Sequence, residues 1–179
     1  MPPNGEPVRV PTALPGLEIR KARTADLEAV EAIVSKAGTH PGVASFLEAY
    51  YGPEAAVSER IRNRMDTALI AWHDGHGIGY LACGQDETVG ALGPWAVRPD
   101  RQGFGVGSAL MVSMMRMLRA RGVRLLEATV PERPGAALRI CQKLGFREYA
   151  TTARRVSGWE AERFETAAAW HHFEKRLRG

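Results

Sequence analysis

The sequence predicts a mixed α/β domain with a mostly antiparallel central sheet flanked by about four helices. Three strand-like segments follow one another with only short turns between them, which predicts an antiparallel meander. A long amphipathic segment then separates two further strand-like segments, which predicts a helix crossing between parallel strands. Hydrophobic residues make up 45% of the 179 residues, which is enough to bury one sizeable core.

The first half of the chain is predicted to contain four strands and two helices. The first strand is predicted over residues 17–22, where apolar and polar side chains alternate. Thr24 is predicted to cap the first helix, which ends at Gly38. Proline–glycine pairs at 41–42 and 52–53 break the chain, and a second helix is expected from there to about Met65. The meander is predicted over 67–73, 78–84 and 89–97, and its first turn contains the hairpin signal Asp74-Gly75.

The second half is predicted to contain two helices and three strands. Apolar residues recur at helical spacing over 105–121, and Gly122 is predicted to end that helix. A strand is predicted over 123–130, after which Pro134 is expected to open the next helix and Gly145 to end it. The last two strands are predicted over 146–156 and 167–177.

Composition and charge exclude several classes of protein. Five prolines within the first fifteen positions predict a flexible tail over 1–16, followed by a single domain over 17–179. The net charge of +4 comes from arginines spread along the chain, which fits an anionic small ligand and does not predict a nucleic-acid surface. No apolar run approaches the roughly 18 residues of a membrane span, and no signal-peptide pattern is present.

The cysteines and histidines predict no metal site. Cys83 and Cys141 lie far apart and form neither a CxxC pair nor a metal-binding spacing, which favours a reduced, cytoplasmic protein. His171 and His172 are adjacent in a strand-like run, so they face opposite sides of the sheet and cannot hold one ion together.

The segment from Val97 to Ser108 carries the clearest functional signal. The strand ends before Pro99, and Gly103, Gly105 and Gly107 then precede an amphipathic helix. Glycine lets the backbone approach a ligand closely and adopt positive φ. The first amides of a helix have no intrahelical partners and lie at the positive end of its dipole. The segment therefore predicts a phosphate or pyrophosphate site.

Three kinds of glycine loop bind phosphate in this way. A Walker loop requires a lysine that is absent. A dinucleotide fingerprint requires glycine at the position of Ser108, although Glu127 lies at the distance of a ribose-binding acid. The third kind, Gln-x-x-Gly-x-Gly, is present as Gln102, Gly105 and Gly107. A nucleotide-binding protein that binds NAD or ATP and does not bind coenzyme A remains an alternative.

Three parts of the sequence resemble the GNAT superfamily of N-acetyltransferases. The run from Ala96 to Gly107 resembles their coenzyme-A motif, and the run from Ala137 to Phe146 is similar to their fourth-helix motif. Residues 19–26 resemble their first strand and the start of their first helix. The three parts occur in the family's order and separation, which is a strong signal for the fold and a weaker one for activity. The resemblance covers about residues 17–177.

The resemblance implies a cofactor site and a reaction. Acetyl-CoA is expected as co-substrate, and a primary amine of a small molecule, peptide or protein is expected to attack its thioester directly in a ternary complex. The strand end is expected to pair with the pantetheine arm, the loop to hold the pyrophosphate, and a backbone N–H near Val97 to stabilise the oxyanion. The expected cofactor-binding residues are Trp95, Ala96, Val97, Gln102, Gly103, Phe104, Gly105, Val106, Gly107 and Ser108.

The chain departs from the family's pattern where protons are transferred. Cys141 stands where many members carry the tyrosine that protonates the thiolate, and Pro134 stands where many carry asparagine. Thr129 and Ala91 stand at the positions of the glutamate bases that different members use. The remaining catalytic candidates are Cys141, Tyr149 and Glu87, with Glu127 or a water chain from Thr129 as further options.

These departures leave a second function open. A catalytically weak or inactive CoA-binding sensor or scaffold would keep the cofactor loop and lose the acid and the bases, and turnover with any amine would exclude it. The resemblance places the acceptor groove near Tyr50, Tyr51, Trp159 and Phe164. The acceptor, the acyl preference and a possible homodimer are not determined by the sequence.

Overall fold

The computed structural model describes residues 14–39, 47, 52–132, 135–154 and 168–177. Most of the predicted tail lies outside the described residues. So do the predictions made for Tyr50, Tyr51, Trp159, Phe164 and Pro134.

Seven strands form one mixed sheet in the order β1-β2-β3-β4-β5-β7-β6. Among the described strands only β4 and β5 pair in parallel, and the other pairs are antiparallel. The predicted mostly antiparallel mixed sheet is therefore confirmed. The strands are β1 (Glu18–Lys21), β2 (Ala68–His73), β3 (His76–Asp86), β4 (Val89–Val97), β5 (Leu125–Pro131), β6 (Arg147–Arg154) and β7 (Ala168–Arg176).

The sheet separates two hydrophobic clusters. Successive residues of β3 point to opposite faces, so Tyr80 and Ala82 enter one cluster while Leu81 and Cys83 enter the other. In the described part of the chain, α1 and α2 cover the first face and α3 and α4 cover the second, hereafter the α1/α2 face and the α3/α4 face. The helices are α1 (Leu27–Ala37), α2 (Glu54–Asn63), α3 (Val106–Ala120) and α4 (Ala136–Lys143).

A buried carboxylate, and not Thr24, organises the start of α1. Thr24 opens a 3-10 turn that ends at Asp26, so the prediction that Thr24 caps the helix was wrong. The Asp26 carboxylate accepts a hydrogen bond from the Arg23 N–H at 2.8 Å and two from the Arg20 guanidinium at 2.8 Å. The Asp26 side chain is 8% exposed, and the hydrogen bonds from Arg20 lower the pKa of its carboxyl.

The elements after α3 begin later than the sequence pattern predicts. The Val123 N–H bonds to the Leu118 carbonyl at 3.0 Å and closes the end of α3, so β5 begins only at Leu125. The helix α4 begins at Ala136, after Gly135 has adopted a φ of +69°.

A bulge in β4 opens the sheet in its middle. Gly93 and Pro94 together stand opposite Ala82 of β3, so β4 carries one residue more than its neighbour. The parallel pairing of β4 with β5 ends immediately before the bulge, at Leu92 and Ala128. Beyond this point the two strands no longer pair with each other, and the gap between them opens a cleft.

Candidate active site

A cleft of about 510 Å³ lies between the diverging ends of β4 and β5. This volume is typical of small-molecule sites, which range over roughly 300–1,000 Å³. The cleft is continuous with the loop before α3 and with one side of α4, and it reaches Ala37 and Leu47 on the α1/α2 side. All of the predicted cofactor-binding residues line it except Phe104, whose side chain is 42% exposed.

The end of β4 directs backbone groups into the cleft. The Arg98 N–H donates to the Ile78 carbonyl of β3 at 2.9 Å. Because backbone groups alternate sides along a strand, Trp95 and Val97 direct theirs away from β3 and toward β5, while Ala96 faces β3. The Gln102 side-chain amide donates to the Val97 carbonyl at 3.1 Å and so ties the loop to the strand. The Val97 N–H and both backbone groups of Trp95 therefore face the cleft.

The glycine loop holds the N-terminus of α3 against the cleft. Gly103 has a φ of +82° and Gly105 a φ of +85°, a region that side-chain-bearing residues rarely adopt. The first intrahelical bond runs from the Ala109 N–H to the Gly105 carbonyl at 2.9 Å. The preceding amides, those of Val106 to Ser108, are therefore not used inside the helix and lie at the positive end of its dipole.

Gly107 allows α3 to pack tightly against the cleft wall. A Cβ at this position would lie 3.1 Å from Ile140 Cδ1 and 3.5 Å from Trp95 Cζ2. The third glycine of the loop therefore allows close packing, whereas Gly103 and Gly105 supply a positive-φ backbone conformation.

Three cations line the cleft beside the loop. They are Arg101, which follows β4, and Arg139 and Lys143, which share one side of α4 at a spacing of four residues. Among the described residues no carboxylate lines the cleft, so its field favours an anionic ligand. The sequence pattern did not identify Arg139 or Lys143 as site residues, because their proximity to the loop depends on how α4 packs against α3.

The three side chains predicted for proton transfer do not line the cleft. Cys141 is 0% exposed in the α3/α4 core, and burial raises the pKa of its thiol to about 12. Tyr149 is 50% exposed on β6, and Glu87 lies in the β3–β4 turn at the opposite end of β4 from the loop. A general acid or base must come within hydrogen-bond reach of the proton that it moves. The structure does not support these roles.

Ala91 and Thr129 stand where different GNAT members carry a glutamate base, and of the two only Thr129 lines the cleft. Ala91 pairs with Glu127 across β4 and β5, before the strands diverge, and neither residue lines the cleft. Thr129 does line the cleft, and its Oγ1 lies 3.0 Å from Nδ1 of His172 on β7. The sequence pattern correctly placed His171 and His172 on opposite faces, but it could not show which strand His172 would pair with.

A sequence profile of the acetyltransferase (GNAT) family matches residues 30–146. The chain belongs to this family. It is therefore an acyl-CoA-dependent N-acyltransferase, and the prediction of that enzyme class is confirmed. The assignment decides against the Walker and dinucleotide alternatives for the glycine loop.

Individual relatives agree with the family assignment. Two proteins described as acetyltransferases are each 28% identical to this chain, one from Photorhabdus laumondii over 133 residues and one from Pectobacterium atrosepticum over 135 residues. The first match covers 74% of this chain and 87% of the relative, and the second covers 75% and 89%.

Solved structures show the same fold. A ribosomal-protein-alanine N-acetyltransferase from Brucella melitensis has a TM-score of 0.68 at 20% identity, covering 89% of this chain and 99% of that one. A candidate acetyltransferase from Salmonella typhimurium, solved with its cofactor acetyl-CoA, has a TM-score of 0.70 at 18% identity, covering 91% and 95%. The predicted GNAT-like fold is confirmed.

Two further properties hold for the described part of the chain. None of its helices combines the length and the apolar character needed to cross a membrane. No three of its histidine, cysteine, aspartate or glutamate side chains gather closely enough to hold a metal ion.

Proposed function

We propose that this protein transfers the acetyl group of acetyl-CoA to a primary amine within the cleft between β4 and β5. The observation that carries the proposal is the continuity of this cleft. It joins an anion-binding loop at one end to the cleft-facing backbone groups of β4 and then to an opening on the α1/α2 side. A long ligand with a phosphate-rich end and an amide-containing arm fits this arrangement.

The loop and the neighbouring cations hold the phosphate end of acetyl-CoA in this proposal. The backbone N–H groups from Gly103 to Ser108 donate hydrogen bonds to the pyrophosphate oxygens, as helix N-termini do for anions. Arg101, Arg139 and Lys143 neutralise the remaining phosphate charge. The Val97 N–H and the Trp95 carbonyl then pair with the amides of the pantetheine arm, which carries the thioester toward the bulge in β4.

The backbone of β4 also stabilises the transition state in this proposal. Of the cleft-facing amides of β4, the Trp95 N–H is the nearest to the bulge, so it, rather than the Val97 N–H, can donate to the oxygen that becomes negative when the amine attacks. Removing one such donor typically costs roughly 10²–10³-fold in rate, which shows how much a single placed N–H contributes.

No side-chain acid is required for departure of the thiolate. The buried Cys141 does not line the cleft. A thiol has an ordinary pKa of about 8.5, so its thiolate is an adequate leaving group near neutral pH. We propose that the second proton passes to sulfur from the nitrogen that has just attacked.

Melting curves test the cofactor part of the proposal. Acetyl-CoA, free CoA, NADH and ATP are compared at equal concentration. A ligand at about 100 times its dissociation constant adds roughly 2.7 kcal/mol, or about 5–10 °C for a chain of this length. We expect acetyl-CoA and CoA to raise the midpoint and NADH and ATP to leave it unchanged. The reverse pattern would overturn the proposal.

Turnover tests the transferase part. Release of the CoA thiol from acetyl-CoA is measured with n-butylamine, spermidine, phenylalaninamide and a short peptide that begins with alanine. We expect release above the rate of acetyl-CoA hydrolysis with at least one of these amines. Binding of CoA without turnover of any of them would favour the sensor or scaffold alternative.

A further inference from the structure

We propose that His172 takes up the proton of the acceptor ammonium through the hydroxyl of Thr129. The two residues would then form a proton relay on the wall of the cleft. The inference rests on the proposed function, because it assigns residues to the first step of the acetyl transfer. In it, Thr129 contacts the substrate and His172 acts through Thr129.

The pairing of β5 with β7 brings these residues together. Thr129 and His172 are directly opposed in the antiparallel register, so their side chains share one face of the sheet. Thr129 Oγ1 and His172 Nδ1 are 3.0 Å apart, which is a hydrogen-bond distance. Thr129 lines the cleft and His172 lies behind it, partly buried, so the hydroxyl is the group of the pair that meets a ligand.

The face on which the relay lies is the side from which an amine would enter. Ala128 and Val130 point into the core of the α3/α4 face, so Thr129 points to the α1/α2 face. Ala37 of α1 and Leu47 line the cleft on that same side. The glycine loop and α4 belong to the opposite face. An acyl group held from the α3/α4 face and an amine that enters from the α1/α2 face would therefore meet beside Thr129.

The position of Thr129 along β5 also places it next to the proposed site of reaction. Ala128 is the last residue of β5 that pairs with β4, and Thr129 is the first residue beyond it. Gly93, which begins the bulge of β4, lines the cleft on the other side of the same opening. The hydroxyl therefore stands where the two strands part, next to the segment of β4 proposed to carry the thioester.

The proton transfer balances without a further reactant. The ammonium N–H bond breaks and its proton goes to Thr129 Oγ1, while the Thr129 hydroxyl proton goes to Nδ1 of neutral His172. The amine nitrogen keeps the electron pair and forms a bond to the thioester carbon. The C–S bond then breaks, and sulfur takes the second proton from nitrogen. The His172 imidazolium returns its proton to solvent.

Several described groups lie near His172 on the sheet. On its own face, Glu174 is next along β7, and the carboxylate of Glu174 is paired with the guanidinium of Arg147. Glu127 lies two residues before Thr129 on β5. The Tyr149 ring of β6 lies 6.0 Å from the His172 ring.

His171 provides a matched control. It is the same residue type on the same strand, but it points to the opposite face and contacts the Glu148 carboxylate through Nδ1 at 2.7 Å. A structural weakening of β7 would affect the His171 and His172 variants alike, whereas loss of the relay affects only the His172 variants.

Turnover of the fastest amine named above tests the relay. We expect His172→Gln and Thr129→Val each to lower kcat about 100-fold, the low end of general-base effects, while the acetyl-CoA melting shift stays as in the wild type. Thr129→Ser should restore most of the rate, and His171→Gln should keep it. The pH dependence of kcat should differ between the wild type and His172→Gln, because the variant removes the proposed proton acceptor. An unchanged kcat and pH profile in His172→Gln, or an equal loss in His171→Gln, would overturn the relay.

A second measurement needs no acceptor. Two-bond proton–nitrogen correlation spectra of nitrogen-15 histidine-labelled protein with CoA report which ring nitrogen of neutral His172 carries the hydrogen. The relay requires Nδ1 to be the acceptor, so we expect the Nε2–H tautomer, with an Nδ1 signal that shifts in Thr129→Val. The Nδ1–H tautomer would contradict the relay even in a fully active enzyme. A failure of the proposed function would appear instead as the absence of a CoA melting shift.

Discussion

Replacing Gly103 by alanine tests whether the loop amides hold the pyrophosphate. Gly103 has a φ of +82° and lies in the loop, and Gly122 has a φ of +85° and follows the far end of α3. A Cβ at either position would meet no atom within 4 Å. Both substitutions therefore impose the same kind of backbone cost, about 1–2 kcal/mol for a left-handed conformation, and no collision. Only Gly103 lies in the cleft.

The melting temperatures of the two variants should fall alike without ligand and differ in how much acetyl-CoA raises them. For a chain of this length, a loss of 1–2 kcal/mol lowers the melting temperature by roughly 2–8 °C, and we expect this in both. Relaxation of residue 103 toward negative φ would turn the loop amides away from the pyrophosphate. If this weakens binding about tenfold, the stabilisation by acetyl-CoA at 100 times the wild-type dissociation constant falls from about 2.7 to about 1.4 kcal/mol.

Melting curves with and without acetyl-CoA measure both effects. We expect Gly122→Ala to show the wild-type ligand shift from a lowered baseline, and Gly103→Ala to show about half of that shift. Equal ligand shifts in the two variants would refute the role of the loop amides, because the two substitutions would then act on stability alone.

Three further predictions concern other parts of the molecule. Cys141→Ala should lower the melting temperature but leave kcat unchanged, and a loss of turnover in folded protein would restore the buried thiol as a catalytic candidate. The double variant Arg139→Ala and Lys143→Ala should weaken acetyl-CoA binding about tenfold and reduce its salt dependence, as measured by titration at two ionic strengths. Asp26→Asn should lower the free energy of unfolding by about 2–3 kcal/mol at pH 7 in urea titrations. Because the hydrogen bonds from Arg20 lower the pKa of Asp26, this stabilisation is complete above the unfolded pKa of about 4 and is lost as the pH falls through the folded value, so wild type and variant should converge in acid. If the two proteins still differ in free energy of unfolding in acid, protonation of Asp26 does not remove its stabilising interaction with Arg20.

Much of the fold and the cofactor loop could be predicted from the sequence because both depend on local patterns. Alternation along the meander and the spacing of apolar residues in α3 identify elements without knowledge of their neighbours. The positive φ of Gly103 and Gly105 is a property of a single turn, and glycine at those positions indicates it directly. The errors were local as well. Thr24 matched the pattern of a helix cap, but the buried carboxylate of Asp26, two residues farther along, holds that helix start through contacts with Arg20 of β1.

The proton-transfer residues could not be predicted in the same way, because they depend on which strands become neighbours. Thr129 and His172 are 43 positions apart in the sequence, and they meet because β7 inserts between β5 and β6. Cys141 matches the position of a family acid, yet its side of α4 faces the core while Arg139 and Lys143 reach the cleft. The sequence by itself determined the fold class and the anion-binding loop, since each arises from residues close together in the chain. The tertiary structure alone decided which side chains line the cleft, because strand order and helix packing set those distances.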